Sequence, residues 1–147
     1  MLEQSKLSQI FSSETIAPIT TLLIDDSQAV RRMVAPMLNN FGVNVVGEAS
    51  NGQEGLASYK KLKPDVVFLD IVMPLVSGIE ILKGIREINP NAIVVMLTSI
   101  ASREDVLESK KAGAFAYLLK PFDVQKIERL ITEIKRKLAK ERKRSYD

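Results

Sequence analysis

Four short apolar segments of this chain each run into residues with chemically active side chains. They are residues 22–24, followed by Asp25 and Asp26; residues 66–69, followed by Asp70; residues 93–97, followed by Thr98 and Ser99; and residues 114–119, followed by Lys120. If these segments are parallel strands of one sheet, their carboxyl ends share the edge at which open α/β sheets place their chemistry. Carboxylates, a hydroxyl group and an ammonium group would then meet there. This pattern predicts a site that accepts a phosphoryl group.

The acidic residues of this set predict a divalent cation. Two like charges 4 Å apart repel by about 4 kcal/mol at an effective dielectric constant of 20. Asp25, Asp26 and Asp70 must therefore retain a proton or bind a cation. Mg²⁺ is expected, because it prefers one or two carboxylates together with phosphate oxygens. A carboxylate beside such an ion is a competent nucleophile toward phosphorus, and Lys120 and Thr98 would stabilise charge on the phosphoryl oxygens.

The composition excludes several other kinds of site. The 147 residues include no histidine and no cysteine, which rules out a phosphohistidine carrier, a histidine-ligated metal and a thiolate nucleophile. Apolar residues make up 46% and charged residues 27% of the chain, as in a globular domain. No apolar stretch approaches the ~20 residues of a membrane span. We expect a cytoplasmic protein without membrane contact, whose metal ligands are oxygen atoms.

The elements that must position these residues alternate along the chain. Strand-like segments lie near residues 20–25, 43–48, 65–70, 92–98 and 114–119. Segments of helical periodicity lie near residues 27–40, 52–62, 78–88, 102–111 and 123–142. Such alternation predicts an α/β fold, in which helices cover both faces of a five-stranded parallel sheet. Asp123 is expected to cap the last helix.

Pro36 interrupts the first predicted helix. An internal proline removes a hydrogen bond and costs roughly 3 kcal/mol or more. The apolar face nevertheless continues through Met37, Leu38 and Phe41. We therefore expect a bend at Pro36 rather than an early end of the helix.

The two ends of the chain differ from its centre. Residues 1–19 are rich in Ser and Thr and are expected to form a flexible leader. Residues 20–138 would form the folded domain, and residues 139–147 a basic tail. A solvated helix end whose cations suit the helix dipole accounts for this tail. Nucleic acid is not expected as a partner, because Tyr146 is the one aromatic residue among these basic residues.

Taken together, these motifs resemble the receiver domain of two-component response regulators, most simply the stand-alone receivers of the chemotaxis type. The matching pieces are Asp25-Asp26-Ser27, residues 70–78 (DIVMPLVSG), Leu97-Thr98-Ser99 and residues 117–122 (YLLKPF). Their spacings match as well, and the resemblance covers roughly residues 20–138. It implies a flavodoxin-like doubly wound fold, (βα)5, and a cis peptide bond between Lys120 and Pro121.

The resemblance also implies a role for each matching residue. Asp70 would be the phosphoacceptor, and Thr98 and Lys120 would contact the phosphoryl group. The ligands of Mg²⁺ would be Asp25, Asp26, Asp70 and the backbone carbonyl of Val72. Thr98 and Tyr117 would form a switch, and access to the site would be controlled by Val72, Ser99 and Ile100.

The implied function is phosphorelay signalling. Asp70 would accept a phosphoryl group, with the help of Mg²⁺, from a sensor histidine kinase or a phosphotransfer protein. The face formed by residues 102–142 would then signal to a downstream protein, with a phosphorylation-dependent homodimer as a further possibility. The protein would be a self-phosphorylating acceptor with slow autodephosphorylation rather than a turnover enzyme. It would be either a single-domain regulator or a receiver fragment of a larger one.

Two other classes of protein share part of this pattern. A nucleotide- or flavin-binding domain would share the fold, but the chain contains neither G-x-G-x-x-G nor G-x-x-x-x-G-K-[ST]. A metal-dependent phosphatase with an aspartate nucleophile would share the chemistry. That enzyme needs an acid–base carboxylate two residues after its nucleophile, where this chain has Val72. Both alternatives are therefore disfavoured.

Overall fold

Strands and helices alternate throughout the computed structural model, which describes residues 18–99 and 102–146. The strands are β1 (Ile19–Ile24), β2 (Val43–Ala49), β3 (Val66–Asp70), β4 (Ile93–Thr98) and β5 (Ala116–Leu119). The helices are α1 (Gln28–Asn40), α2 (Gly52–Leu62), α3 (Gly78–Ile88), α4 (Arg103–Lys111) and α5 (Val124–Tyr146). All pairings in the sheet are parallel, and the strand order is β2-β1-β3-β4-β5. The predicted flavodoxin-like doubly wound fold is confirmed.

Both faces of the sheet are covered by helices, because alternate residues of each strand point to opposite sides. On one side, Leu23 and Phe68 pack with residues of α1 and α5 such as Leu38 and Ile131. The other side packs Leu22, Leu69 and their neighbours against residues of α2 and α3. Strands β3 and β4 are buried along their whole length, which explains their nearly continuous apolar sequences.

The strand order reverses beside β1. From β1 the chain goes first to β2 on one side and then to β3 on the other. In open α/β sheets, ligands bind at such a reversal, outside the carboxyl ends of the strands. Those ends carry Asp25, Asp70 and Thr98.

Polar side chains cap the helices, as the sequence indicates. Ser27 accepts a hydrogen bond from the backbone N–H of Val30 at 3.2 Å, which starts α1 beside the acidic turn. Asp123 accepts one from the N–H of Gln125 at 2.7 Å, so the predicted cap of α5 is confirmed. Helix α1 continues through Pro36 to Asn40 and does not end early. The expected bend at Pro36 stays a prediction.

The predicted boundaries of the leader, the folded domain and the basic tail stay predictions. Residues 1–17, which make up most of the expected leader, lie outside the described residues. Helix α5 runs to Tyr146, so most of the basic segment continues that helix. Its Arg142 lies 3.5 Å from the carboxylate of Asp65, which joins the helix to the start of β3. None of the helices in the described ranges is long and apolar enough to cross a membrane.

Candidate functional site

Four neighbouring elements bring the predicted site residues to one edge of the sheet. Asp25 follows β1, Asp70 and Thr98 are the last residues of β3 and β4, and Lys120 follows β5. Strands β1, β3, β4 and β5 lie side by side. The backbone N–H of Lys120 donates to the carbonyl oxygen of Thr98 at 2.7 Å, which fixes the loop after β5 against β4.

Lys120 binds both buried carboxylates. Its Nζ lies 2.8 Å from Oδ2 of Asp25 and 3.6 Å from Oδ2 of Asp70. These two aspartates are 2% and 4% exposed, respectively. Buried charges persist only when they are paired and hydrogen-bonded. One ammonium group therefore holds the carboxylates of two strands at a common point.

Asp25 has a partner for each of its polar groups. Its backbone N–H donates to the carbonyl of Ala49 at 3.0 Å, and its backbone carbonyl accepts from Nη1 of Arg31. Its Oδ1 accepts from the N–H of Ser27 at 2.9 Å, while Oδ2 accepts from Lys120. Sequence reasoning missed Arg31. The signal available was its position, one turn into the helix that comes after the acidic pair.

The three aspartates form a cluster that suits a divalent cation. One carboxylate oxygen from each of Asp25, Asp26 and Asp70 lies within 4.8 Å of the others. Asp26 is the exposed member of the three. Grouped oxygen ligands beside solvent suit Mg²⁺, which retains several water molecules when it binds. The residues present therefore fit the predicted ion.

The surroundings of Asp70 raise its pKa from 3.8 to about 6. Burial is the main cause, and the negative charge of Asp25 adds to it. Lys120 and the backbone N–H of Val72, which donates to Oδ1 of Asp70 at 3.3 Å, act in the opposite direction. Without a cation, the cluster consequently retains a proton on Asp70 in mildly acidic solution.

Thr98 and Tyr117 are hydrogen-bonded through their side chains. Thr98 is completely buried, whereas Tyr117 is partly exposed on the neighbouring strand β5. Burial raises the pKa of Tyr117, the carboxylate of Asp105 raises it further, and the hydrogen bond to Thr98 opposes the rise. The predicted switch residues are therefore in direct contact.

The structure describes two of the three residues predicted to control access to Asp70. Val72 is 53% exposed beside Asp70, and Ser99 is exposed after β4. Ile100 lies outside the described residues. The role of the Val72 carbonyl as a metal ligand stays a prediction. The peptide bond between Lys120 and Pro121 is cis, as expected.

Gly78 allows the loop after Asp70 to fold back on the site. Its backbone N–H donates to the carbonyl of Ile71 at 2.8 Å. A Cβ atom at this position would lie 1.9 Å from the backbone oxygen of Asp70, closer than atoms can approach. Any other residue would push the loop away from the phosphoacceptor candidate. In the same loop, Leu75 has a φ of +73° and is 97% exposed.

Comparison with known proteins gives relatives of about the length of this chain and relatives about twice as long. Residues 21–132 match the response regulator receiver domain. The chain is 36% identical over 113 residues to chemotaxis protein CheY of Thermotoga maritima, covering 77% of this chain and 94% of that protein. It is also 40% identical over 129 residues to an uncharacterized response regulatory protein of Vibrio cholerae. That alignment covers 87% of this chain but 52% of the relative, so the chain spans about half the length of the longer protein.

Solved structures show the same fold. A structure described as the CheX–CheY–BeF3–Mg²⁺ complex from Borrelia burgdorferi superposes with a TM-score of 0.78 at 29% identity, over 82% of this chain and 92% of that one. The receiver domain of AraT from Geobacillus stearothermophilus gives a TM-score of 0.79 at 30% identity, over 86% and 99%. With its acidic cluster at the sheet edge, this chain belongs to the response regulator receiver domain family.

Proposed function

We propose that Asp70 accepts a phosphoryl group from a sensor histidine kinase or a phosphotransfer protein, in a reaction that requires Mg²⁺. The observation that carries this proposal is the buried Asp70 carboxylate, 3.6 Å from the Lys120 ammonium group and clustered with Asp25 and Asp26. An oxygen of Asp70 forms a bond to phosphorus while the bond between phosphorus and the donor's histidine nitrogen breaks. The imidazole leaves with the electron pair.

Each residue of the cluster has a part in this reaction. Asp25, Asp26, Asp70 and the Val72 carbonyl would hold Mg²⁺, and the bound ion would neutralise charge on the phosphoryl oxygens. Lys120 contributes a second positive charge, already held in place by its ion pair with Asp25. Thr98 donates a hydrogen bond to a phosphoryl oxygen. The Borrelia burgdorferi relative, whose structure is described as containing BeF3 and Mg²⁺, supports this assignment.

The signal then leaves the site through Thr98 and Tyr117. Thr98 and Tyr117 share a hydrogen bond, and this contact changes when the Thr98 hydroxyl group turns to donate to the phosphoryl group. Tyr117 then turns, and the face formed by residues 102–142 changes. A downstream protein or a second copy of the chain reads this face, by a shift between two pre-existing states.

The proposal covers the receiver as a phosphoacceptor, with slow loss of the phosphoryl group and no turnover of a substrate. Its place of action would be the cytoplasm, without nucleic acid as a partner. The CheY relatives are matched over nearly their whole length, while the Vibrio cholerae relative is matched over about half. Both a single-domain regulator and a receiver within a larger one are therefore compatible with these relatives.

Acetyl phosphate and Mg²⁺, followed by measurement of the intact mass, test the phosphoacceptor assignment. We expect one phosphoryl adduct on the wild type and none on Asp70→Asn. EDTA should abolish the adduct. Asp123→Asn is the matched control, because asparagine caps a helix as well as aspartate does. Equal labelling of Asp70→Asn would refute the assignment, and rapid consumption of many equivalents of acetyl phosphate would favour the phosphatase.

The route of the signal has its own test. NMR shifts on adding a phosphoryl mimic with Mg²⁺ should extend from the site to Tyr117, α4, β5 and α5. Replacing Thr98 by Ala should confine them to the immediate site, because the hydroxyl that links Asp70 to Tyr117 is gone. Shifts that spread instead over α2 and α3 would contradict this route.

A further inference from the structure

We propose that Arg31 is a positioning residue for the divalent cation: its guanidinium group fixes the backbone of the acidic turn and thereby aims the Asp26 carboxylate at the site. The acidic turn is residues 25–27, between β1 and α1. This inference rests on the proposed function, because it concerns the cation of the same site. It adds a residue from outside the carboxylate cluster.

The Arg31 side chain links three parts of the fold. It originates from the first turn of α1, and its Nη1 donates to the backbone carbonyl of Asp25. Its Nε donates to Oε1 of Glu48, on the edge strand β2, at 3.0 Å. The Arg31 side chain is 13% exposed and Glu48 is 46% exposed, so the arginine end of this contact is shielded from solvent and the glutamate end is open to it. A planar guanidinium group can hold both acceptors at fixed angles, which a lysine ammonium group cannot.

The contact with the Asp25 carbonyl matters because that carbonyl belongs to the peptide group leading into Asp26. The peptide bond is planar, so the direction of the carbonyl fixes the plane of the peptide that joins Asp25 to Asp26. This plane fixes the positions of the Asp26 nitrogen and Cα atoms, from which the Asp26 side chain starts. The Asp25 N–H is held by Ala49 and its carboxylate by Ser27 and Lys120. Arg31 therefore completes the restraint on the residue that precedes the exposed carboxylate.

The charge of Arg31 and its positioning role predict different effects on Mg²⁺ affinity when Arg31 is replaced. A cation close to a cluster of carboxylates repels Mg²⁺, so loss of the Arg31 charge would tighten Mg²⁺ binding. Loss of its hydrogen bonds would instead release the acidic turn and weaken binding. Removal of such an outer contact typically costs 10–100-fold in metal affinity, and we expect about tenfold, because Arg31 holds the backbone rather than a ligand atom. The two explanations thus predict changes of opposite sign.

The test is an NMR titration of the unphosphorylated protein with Mg²⁺, which measures the dissociation constant directly. Arg31→Met should raise the dissociation constant about tenfold. Arg32→Met is the matched control, since it removes the same charge from the next residue, which is exposed, and should leave affinity within about twofold. Arg31→Lys retains the charge but not the fork of donors. It should also weaken binding, whereas a charge effect would leave it unchanged.

A second measurement concerns the backbone itself, without any metal. Amide hydrogen exchange within residues 26–27 should be faster in Arg31→Met than in the wild type and in Arg32→Met, while the exchange of β3 and β4 stays unchanged. This comparison also shows whether the variant remains folded. Unchanged exchange in the acidic turn, or Mg²⁺ affinity that is equal or tighter in Arg31→Met, would overturn the inference alone. Wild-type protein that binds no Mg²⁺ would overturn the proposed function, and this inference with it.

Discussion

Replacement of Asp70 by asparagine is expected to stabilise the metal-free protein at neutral pH. In the wild type, the ionised carboxylate is buried and close to the negative charge of Asp25, and these two effects raise its pKa to about 6 from the usual 3.8. Asparagine carries no charge, so it avoids the cost of ionisation. Its one side-chain oxygen can still accept from the Val72 N–H or from Lys120, although not from both, because these donors face different oxygens of Asp70.

The magnitude comes from the linkage between protonation and folding. The folded protein holds a proton on Asp70 more tightly than the unfolded chain does, so stability falls as pH rises from 3.8 to about 6, the two pKa values of the carboxyl group. Above that range the cost is constant. Two pKa units correspond to about 3 kcal/mol of unfolding free energy at pH 7. At pH 4 the cost is only about 0.6 kcal/mol, because the folded carboxyl group is then protonated.

Urea unfolding in EDTA measures this difference. We expect Asp70→Asn to exceed the wild type by about 2–3 kcal/mol at pH 7 and by well under 1 kcal/mol at pH 4. Mg²⁺ at pH 7 should then stabilise the wild type far more than Asp70→Asn, since a ligand stabilises the protein that binds it. Asp123→Asn serves as the control, because Asp123 is exposed and should show neither effect.

Two results would refute this reasoning. Asp70→Asn that is less stable than the wild type at pH 7 would mean that the ion pair with Lys120, 3.6 Å away, outweighs burial. A stability difference that does not depend on pH would mean that packing, rather than ionisation, is responsible. Either result would also remove the physical basis for an Asp70 pKa near 6.

Two further predictions concern the loops around the site. Gly78→Ala should destabilise the protein by roughly 3 kcal/mol or more in urea unfolding, because its Cβ atom would lie 1.9 Å from the Asp70 backbone oxygen. Gly84→Ala is the control and should cost much less, since the nearest atom to its Cβ is 3.3 Å away. Equal losses of stability in the two variants would contradict the argument. Val72→Asn combined with Ile100→Gln should speed loss of the phosphoryl group about tenfold, or ~1.4 kcal/mol of barrier, by offering groups that orient a water molecule. The decay of phosphorylated protein after removal of the donor, at equal Mg²⁺, checks this, and equal rates would make these two positions packing residues only.

The meeting of Asp25, Asp70, Thr98 and Lys120 was predictable from the sequence. Each follows or ends an apolar segment, and the carboxyl ends of neighbouring parallel strands must share an edge. The order of the strands in the sheet, with β1 between β2 and β3, is predictable only from the resemblance to a known family. Apolar runs by themselves do not specify it.

The contacts that hold the acidic turn were not predictable in the same way. In the sequence, Arg31 and Arg32 are equivalent neighbours at the start of a helix. Only the pairing of β2 beside β1 brings Glu48 within 3.0 Å of Arg31 and so makes the two arginines different. The end of α5 is a similar case. The basic sequence predicts a solvated helix end, yet Arg142 of this helix lies 3.5 Å from the carboxylate of Asp65, the residue before β3.

Within the proposed function, the cost of ionising Asp70 and the switch at Thr98 both follow from the burial of these two side chains at the sheet edge. An ionised Asp70 is costly because the sheet edge offers it one ammonium group and little water. A cation relieves that cost, and a phosphoryl group replaces the carboxylate charge with more negative charge at the same place. The added charge needs a further donor, and Thr98 is the buried hydroxyl group at the end of the next strand. Thr98 shares a hydrogen bond with Tyr117, so movement of its hydroxyl group toward the phosphoryl group changes that contact. The chemistry at Asp70 is thereby coupled to the exposed side of β5.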